Sequence, residues 1–312
     1  MFACSWWLDA VAPGAWRPHV VAEHGRAVAA WPTVVRRTRW GDVHAGAPLT
    51  PYLGPIMLTP GGSVRRRAEE IRLLEQLLER IGPAAAIEAM CNPGFDYWAP
   101  LRWHGFTQTT RYTWRLNGLT DTDELFTRVR ENVRREVRKS RKRGVEVGPG
   151  SLEELFGVHS RTAAQQGIVE TERLQAALRR LEPAAAAHDA GTILIARDRE
   201  GRVHAGAFFV HDRRFTYYLV GGSDARIRTS GAMSAVMWAG IERAAARGTG
   251  FDFEGSSLRS VERYFRAFAG APAPYSKVRR IGSRPYAAEV AVKRVLARTL
   301  RRSAKRGPGR AE

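Results

Sequence analysis

The sequence predicts a mixed α/β chain in two tandem units followed by a basic C-terminal tail, and three observations carry that prediction. Its 312 residues exceed the usual size of one compact domain, so two units of roughly 150 residues are expected. The second half reads as three strands joined by tight turns and then helix, strand, helix and strand. That order builds a mixed sheet rather than a regular parallel βαβ array. A composition that is 44% hydrophobic and 9% aromatic is apolar enough for both units to bury a core.

In the first half, His19–Ala22 and Ala27–Trp31 read as strands parted by His24-Gly25-Arg26, a hairpin. Pro48, Pro51, Gly54 and Pro55 break regular structure and predict a fixed irregular loop. A helix over 64–81 follows from the apolar repeat of Ile71, Leu74, Leu77, Leu78 and Ile81. Ala84–Met90 and Thr109–Leu116 read as strands, and one long helix is expected from Asp121 to Lys142 with Phe126, Val129, Val133 and Val137 as its apolar stripe. Gly144 stops that helix. The first domain is therefore drawn at 1–145.

The second domain is drawn at 146–285. It opens with a short strand at Val145–Val147 and helices near 151–166 and 171–188. Strands at Thr192–Arg197, Val203–Val210 and Phe215–Val220 are linked by Asp198-Arg-Glu-Gly201 and His211-Asp-Arg213, both of which have hairpin chemistry. A helix over Gly231–Arg247, a strand at Gly250–Phe253, a helix over 258–268 and a strand near Ala273–Arg279 complete it. Residues 286–312 are expected to be a helix fraying into a disordered basic tail.

The formal charge of +19 is concentrated. Residues 128–143 hold nine basic and two acidic residues, and 277–310 hold twelve basic residues against Glu289. These segments carry +7 and +11, leaving +1 for everything else. Such clustering is an electrostatic footprint for phosphate, with a solvated face and a basic tail as the plainer reading. Arg134, Arg135, Arg138, Lys139 and Lys142 lie off the apolar stripe and are the set expected to meet phosphates. Cys4 and Cys91 are the only cysteines, which is no disulfide framework. The first sixteen residues lack the charged start and apolar run of a signal peptide, and no window is long and apolar enough to span a membrane. A cytoplasmic protein is expected.

Nucleophile, zinc, P-loop and dinucleotide motifs are missing from the sequence. Metal chemistry, nucleotide hydrolysis and hydride transfer are accordingly not expected, and Cys91 reads as a small buried residue. Strand alternation puts Asp252 and Glu254 on one side and Phe251 and Phe253 on the other. Glu254, at the strand end, is the candidate to take a proton from an amine, with capping of the next helix as its structural alternative.

Four strings carry a resemblance: Ser5-Trp-Trp-Leu-Asp-Ala10, Pro48-Leu-Thr-Pro-Tyr-Leu-Gly-Pro55, Asn132-Val-Arg-Arg-Glu-Val-Arg-Lys-Ser-Arg-Lys-Arg-Gly-Val145 and Phe251-Asp-Phe-Glu-Gly-Ser256. The chain resembles the FemAB-like, double-GNAT acyltransferases up to about residue 282. That resemblance implies two GNAT-like domains and amide formation, with aminoacyl-tRNA as the Fem-type donor and an amine-bearing peptide, metabolite or cell-wall precursor as acceptor. No permanently bound cofactor is implied. Acetyl-CoA is the alternative donor, and a non-catalytic RNA-binding protein is the alternative from another class. Through the resemblance, Tyr52, Asn132 and Phe265 are acceptor-binding candidates. Arg266 stands where Fem-type enzymes have the lysine of a Phe-Lys pair beside the reacting carbonyl. Arg228, Ser230 and Gly231 match part of the GNAT loop that presents N–H groups to a pyrophosphate, but Met233 departs from it. Ser230 as a helix cap is the plain alternative.

Overall fold

A computed structural model describes residues 1–58, 64–165, 172–255 and 258–305, without the side chains of 64–66, 161–165, 225, 228, 229, 294 and 297–305. In chain order the elements are α1 (Ser5–Val11), β1 (Trp16–Arg17), β2 (Val20–Glu23), β3 (Arg26–Ala30), β4 (Thr33–Thr38), β5 (Gly41–Ala45), β6 (Ile56–Met57), α2 (Val64–Ile81), β7 (Ala86–Met90), α3 (Ala99–Trp103), β8 (Thr107–Leu116), α4 (Thr122–Arg128) and α5 (Glu131–Lys142). Then come β9 (Glu146–Pro149), α6 (Leu152–Gln165), α7 (Glu172–Ala187), β10 (Gly191–Arg197), β11 (Val203–His211), β12 (Phe215–Ser223), a 3-10 turn (Ala225–Ser230), α8 (Ala232–Ala246), β13 (Gly250–Asp252), α9 (Arg259–Arg266), β14 (Ala271–Ile281) and α10 (Arg284–Lys305).

The larger compact unit comprises Met1–Gly14, Ala47–Pro51 and Thr110–Tyr275. Its sheet runs β8-β13-β12-β11-β10-β9, antiparallel except for the β12/β13 pair. The three expected hairpin-linked strands are present with their predicted turns: Asp198 and Asp212 each accept backbone N–H bonds within them. Helix α8 is buried on nearly every side, through Ala232, Ala235, Val236, Met237, Trp238, Ile241 and Ala244. Gly240 lets it lie close to the sheet, because a Cβ there would fall 2.5 Å from the Phe209 ring. Each large side chain in this core contributes about 1.5–3 kcal/mol. The N-terminal helix, for which the sequence gives no clear periodicity, joins this unit through Trp7, whose Nε1 donates to Thr50 Oγ1 at 2.9 Å, and through Arg180, whose Nε donates to the Ala10 carbonyl at 2.7 Å.

The second unit comprises Ala15–Gly46, Tyr52–Thr109 and the described part of Ser276–Glu312. It orders β1-β4-β5-β7-β14 in one sheet and β2-β3-β6 in another. The β2/β3 hairpin turns at His24 and Gly25, both with positive φ, as the turn residues predict. Helix α2 buries Leu73, Leu74, Leu77, Leu78 and Ile81. Strands β4 and β5 are not legible in the sequence, since Val-Val-Arg-Arg offers little alternation.

The mixed α/β class stands, but the compact units are not the contiguous segments 1–145 and 146–285. Their limits at 109/110 and 275/276 fall inside β8 and β14, and α4 and α5 belong to the larger unit. The single helix expected over 121–142 is two helices. Val129 and Arg130 are extended (ψ 140° and 141°), the Arg130 N–H donates to the Ala267 carbonyl at 3.0 Å, and Arg134 Nη1 donates to the Thr127 carbonyl at 3.2 Å. These tertiary bonds outweigh the continuous helical pattern of the sequence. The tail is helical through Lys305, and residues 306–312 lie outside the described residues.

Candidate active site

The site grows from the way β12 and β13 part. They pair in parallel only from Phe215↔Gly250 to Tyr217↔Asp252, after which β12 runs on to Ser223 paired with β11 but not with β13. On its other side β12 carries a bulge at Leu219, where register shifts between Phe208↔Val220 and Phe209↔Tyr218. A bulge re-aims neighbouring side chains and often sits beside an active site. The half-buried stretch Tyr218–Gly221 lines the gap.

Past β13 the backbone turns sharply. Glu254 and Gly255 have φ of 60° and 68°, and a Cβ on Gly255 would lie 2.2 Å from the Tyr112 carbonyl, so only glycine fits there. Asp252 fixes the turn. Fully buried, its carboxylate accepts from Thr113 Oγ1 at 2.5 Å, from Arg115 Nε at 2.8 Å and from the Glu254 N–H at 2.8 Å. The alternation that groups Asp252 with Glu254 therefore ends at Asp252, because the chain leaves the strand there. Glu254 Oε1 is shut off from solvent and has no partner among the described residues. Burial, and then the Asp252 charge, push the Glu254 carboxyl well above the ordinary range. Helix α9 has no side-chain cap at its start, so Glu254 does not serve as one.

Tyr218 and Tyr264 complete this polar cluster, and sequence reasoning missed both. Burial raises each hydroxyl; the charges of Tyr264 and Glu254 add to it at Tyr218, while Tyr264 lies 3.4 Å from Ser234 Oγ. The available signals are Gly221-Gly222 just after Tyr218, and a tyrosine immediately before Phe265. A Cβ on Gly221 would sit 2.5 Å from the Tyr218 hydroxyl, so that glycine admits the ring.

Directly after Glu254, Gly255 lines a cavity of about 490 Å³ with Arg111, Tyr112, Trp114, Glu262, Arg266 and Tyr275 among its walls. Arg266 projects from α9 half exposed, and its Nε lies 3.3 Å from Glu262 Oε1. Of the expected site residues, Arg266 lines this cavity, and Glu254 directly precedes its Gly255 wall without being one of the lining residues. Phe265 is not at the cavity. It is buried against Tyr218, Phe253 and Tyr264, because the helix turn that exposes Arg266 points its neighbour into the core. Asn132 is exposed on α5, and Tyr52 is a buried residue of the second unit. Burial pushes the Cys91 thiol up to about 12, which suits a packing residue.

The expected donor loop is covered. Ser230 is buried and its Oγ accepts the Ala232 N–H at 3.3 Å, a capping role. Gly231, φ 78°, lies so close to α5 that a Cβ would stand 2.2 Å from the Glu136 carbonyl and 3.1 Å from Glu136 Oε2. The side chain of Arg228 lies outside the described residues. On α5 itself the five basic candidates divide. Arg134 donates to the Thr127 carbonyl and pairs with Glu131. Arg138 reaches Glu131 at 3.6 Å, and Lys139 reaches Glu136 at 3.6 Å. Arg135 and Lys142 are exposed and have no ion pair among the described residues.

Residues 127–266, which span α5, the donor loop and α9, match the acetyltransferase (GNAT) domain family. The chain carries a GNAT acyltransferase domain. In fold it is similar to FemX, with a TM-score of 0.67 at 13% identity over 87% of this chain and 90% of that one. It is also similar to L-PGS from Bacillus licheniformis (TM-score 0.53, 11% identity, 92% and 90% covered). A tandem GNAT protein from the clavulanic acid biosynthesis pathway is similar as well (TM-score 0.51, 13% identity, 88% and 87% covered). No curated protein matches by sequence. The FemAB-like, double-GNAT resemblance therefore holds at the level of the fold, and residues 127–266 carry an acetyltransferase (GNAT) domain. No described helix is long and apolar enough to cross a membrane.

Proposed function

We propose that this acyltransferase moves an aminoacyl group from aminoacyl-tRNA to the amine of a small peptide, metabolite or cell-wall precursor. The observation that carries the reading is the cover on the start of α8. A coenzyme A pyrophosphate would need the free N–H groups of that helix start, but α5 lies over it and turns the Glu136 carboxylate toward Gly231. An anion gains little there. The same helix presents Arg135 and Lys142 to solvent, which suits a donor held by a phosphate backbone. The Fem-type resemblance adds aminoacyl-tRNA as the donor of that kind.

In this reading the acceptor lies in the cavity beside Gly255. Its nitrogen gives a proton to ionised Glu254 and attacks the ester carbonyl carbon. Arg266 stabilises the oxyanion. The C–O bond to the terminal ribose then breaks as the C–N bond holds, and the leaving ribose oxygen takes a proton from the Tyr264 or Tyr218 hydroxyl, which is restored through Glu254. The ester supplies the activation, so the reaction uses no ATP. The name of the domain family keeps acetyl-CoA as the comparison donor. Calorimetry with acetyl-CoA and filter binding with aminoacyl-tRNA test the assignment. Weak or absent coenzyme binding with salt-sensitive tRNA binding is expected, and tight acetyl-CoA binding without tRNA binding would reverse it.

A further inference from the structure

Helix α10 closes the second unit and has two unlike faces. Its inner face is seated by Tyr286, which packs with Val43, Ala85 and Ala86 and accepts from Arg36 Nη2 at 3.1 Å, and by Val290 beside it. On the outside, Val292, Val295 and Leu296 are 58%, 62% and 57% exposed. Their i, i+3, i+4 spacing makes one aliphatic stripe. Scattered apolar residues on a surface are ordinary, but a stripe on a strongly charged helix is not.

The charge around the stripe is almost all of one sign. Over its 22 residues α10 carries seven basic residues against Glu289, a net +6. Glu289 is itself neutralised by Lys293 at 2.6 Å, by the Trp40 indole N–H at 2.7 Å and by Arg39 at 3.2 Å. Trp40 is 37% exposed, with the Arg39 guanidinium 4.7 Å from its ring centre. A half-exposed indole, flanking cations and an aliphatic stripe are the components of a helix that lies in a lipid headgroup layer. Phosphates of a nucleic acid would be met by the cations alone and would leave the three aliphatic side chains in water.

We propose that the outer face of α10 docks this protein on an anionic lipid surface. The apolar stripe enters the headgroup boundary and the basic residues meet lipid phosphates, so binding needs both. This inference is independent of the donor assigned above.

Flotation of the full chain with phosphatidylglycerol/phosphatidylcholine vesicles, and with phosphatidylcholine vesicles alone, tests it at physiological salt. The parent is expected to float with the anionic vesicles only. Val292→Ser/Val295→Ser/Leu296→Ser should weaken partition by about tenfold or more, since three buried aliphatic groups are removed. Lys293→Gln, at an exposed cation beside the stripe, should weaken it roughly fivefold. All these positions lie on α10, and circular dichroism of each variant checks that the fold is retained. Three results would overturn the proposal: no flotation of the parent; equal flotation of parent and triple-serine variant; or a concentration-dependent dimer that the triple-serine variant abolishes, which would make the stripe a contact between copies. Competition by tRNA that strips the parent from vesicles, with the serine variant binding both ligands as the parent does, would instead make α10 a nucleic-acid surface.

Discussion

Replacing Glu254 by Gln keeps the side-chain shape and removes a charge that the fold accommodates poorly. Its Oε1 has no partner among the described residues, and burial with the nearby Asp252 charge raises its carboxyl above the ordinary 4.5. Because the folded chain binds this proton more tightly than the unfolded chain, the parent is most stable below that value. Stability then declines as pH rises toward the folded value, with a slope of at most about 1.4 kcal/mol per pH unit. Glutamine has no such decline. In urea denaturation from about pH 4 to about pH 8, the difference between the proteins should be small at the acid end and move steadily toward the variant. The same variant should lose about 10²–10⁴-fold in single-turnover acyl transfer, the usual effect of removing a positioned acid–base group. Parallel stability profiles would refute the buried carboxyl, and a parental rate in the folded variant would refute its proton-transfer role.

Arg266→Ala should lower turnover about a hundredfold while changing stability by about 0.5 kcal/mol or less, and Arg266→Lys should keep part of the rate; an unchanged alanine rate would remove the oxyanion assignment. Arg135→Gln/Arg138→Gln/Lys142→Gln should flatten the salt dependence of tRNA binding by about 0.7–0.9 in log–log slope for each phosphate that is no longer neutralised, whereas an unaltered slope would put the tRNA on another surface. Gly231→Ala forces a side chain into left-handed backbone against the Glu136 carbonyl and should cost about 1–3 kcal/mol. A melting temperature equal to that of the parent would mean that α5 does not cover α8.

What the sequence makes legible is local. The turns at His24-Gly25, Asp198 and Asp212, and the apolar stripe of α2, follow from residue chemistry and spacing, and all appear in the fold. Glu254 is legible because Phe-Asp-Phe-Glu-Gly announces a strand end, although the left-handed turn that isolates its carboxyl is not. Tertiary bonds decide the rest. The break between α4 and α5 depends on Arg130 reaching the Ala267 carbonyl, 137 positions away in sequence. Nothing in the run of good helix formers marks it. The place of α1 in the larger unit hangs on Trp7 and Thr50, and no periodicity links them.

The same distinction separates the site residues. Arg266 and Phe265 are adjacent, so one helix turn sends one to the cavity and the other to the core. Tyr218 reads in sequence like any inward strand residue, and only the bulge at Leu219 and the missing β13 partner set it apart. Arg134 looks like its basic neighbours until its bond to the Thr127 carbonyl is seen. Charge clustering locates a basic surface but does not say which cations are already engaged within the fold.

Transfer itself tests the assigned donor most directly. The protein is incubated with a panel of small amine acceptors and either tRNA charged with labelled amino acids or labelled acetyl-CoA. Label is expected in an amide product from the charged tRNA, abolished when the tRNA is digested beforehand, with little or none from acetyl-CoA. Acetylation of the same acceptors, with the amino acid left on its tRNA, would contradict the aminoacyl-tRNA assignment.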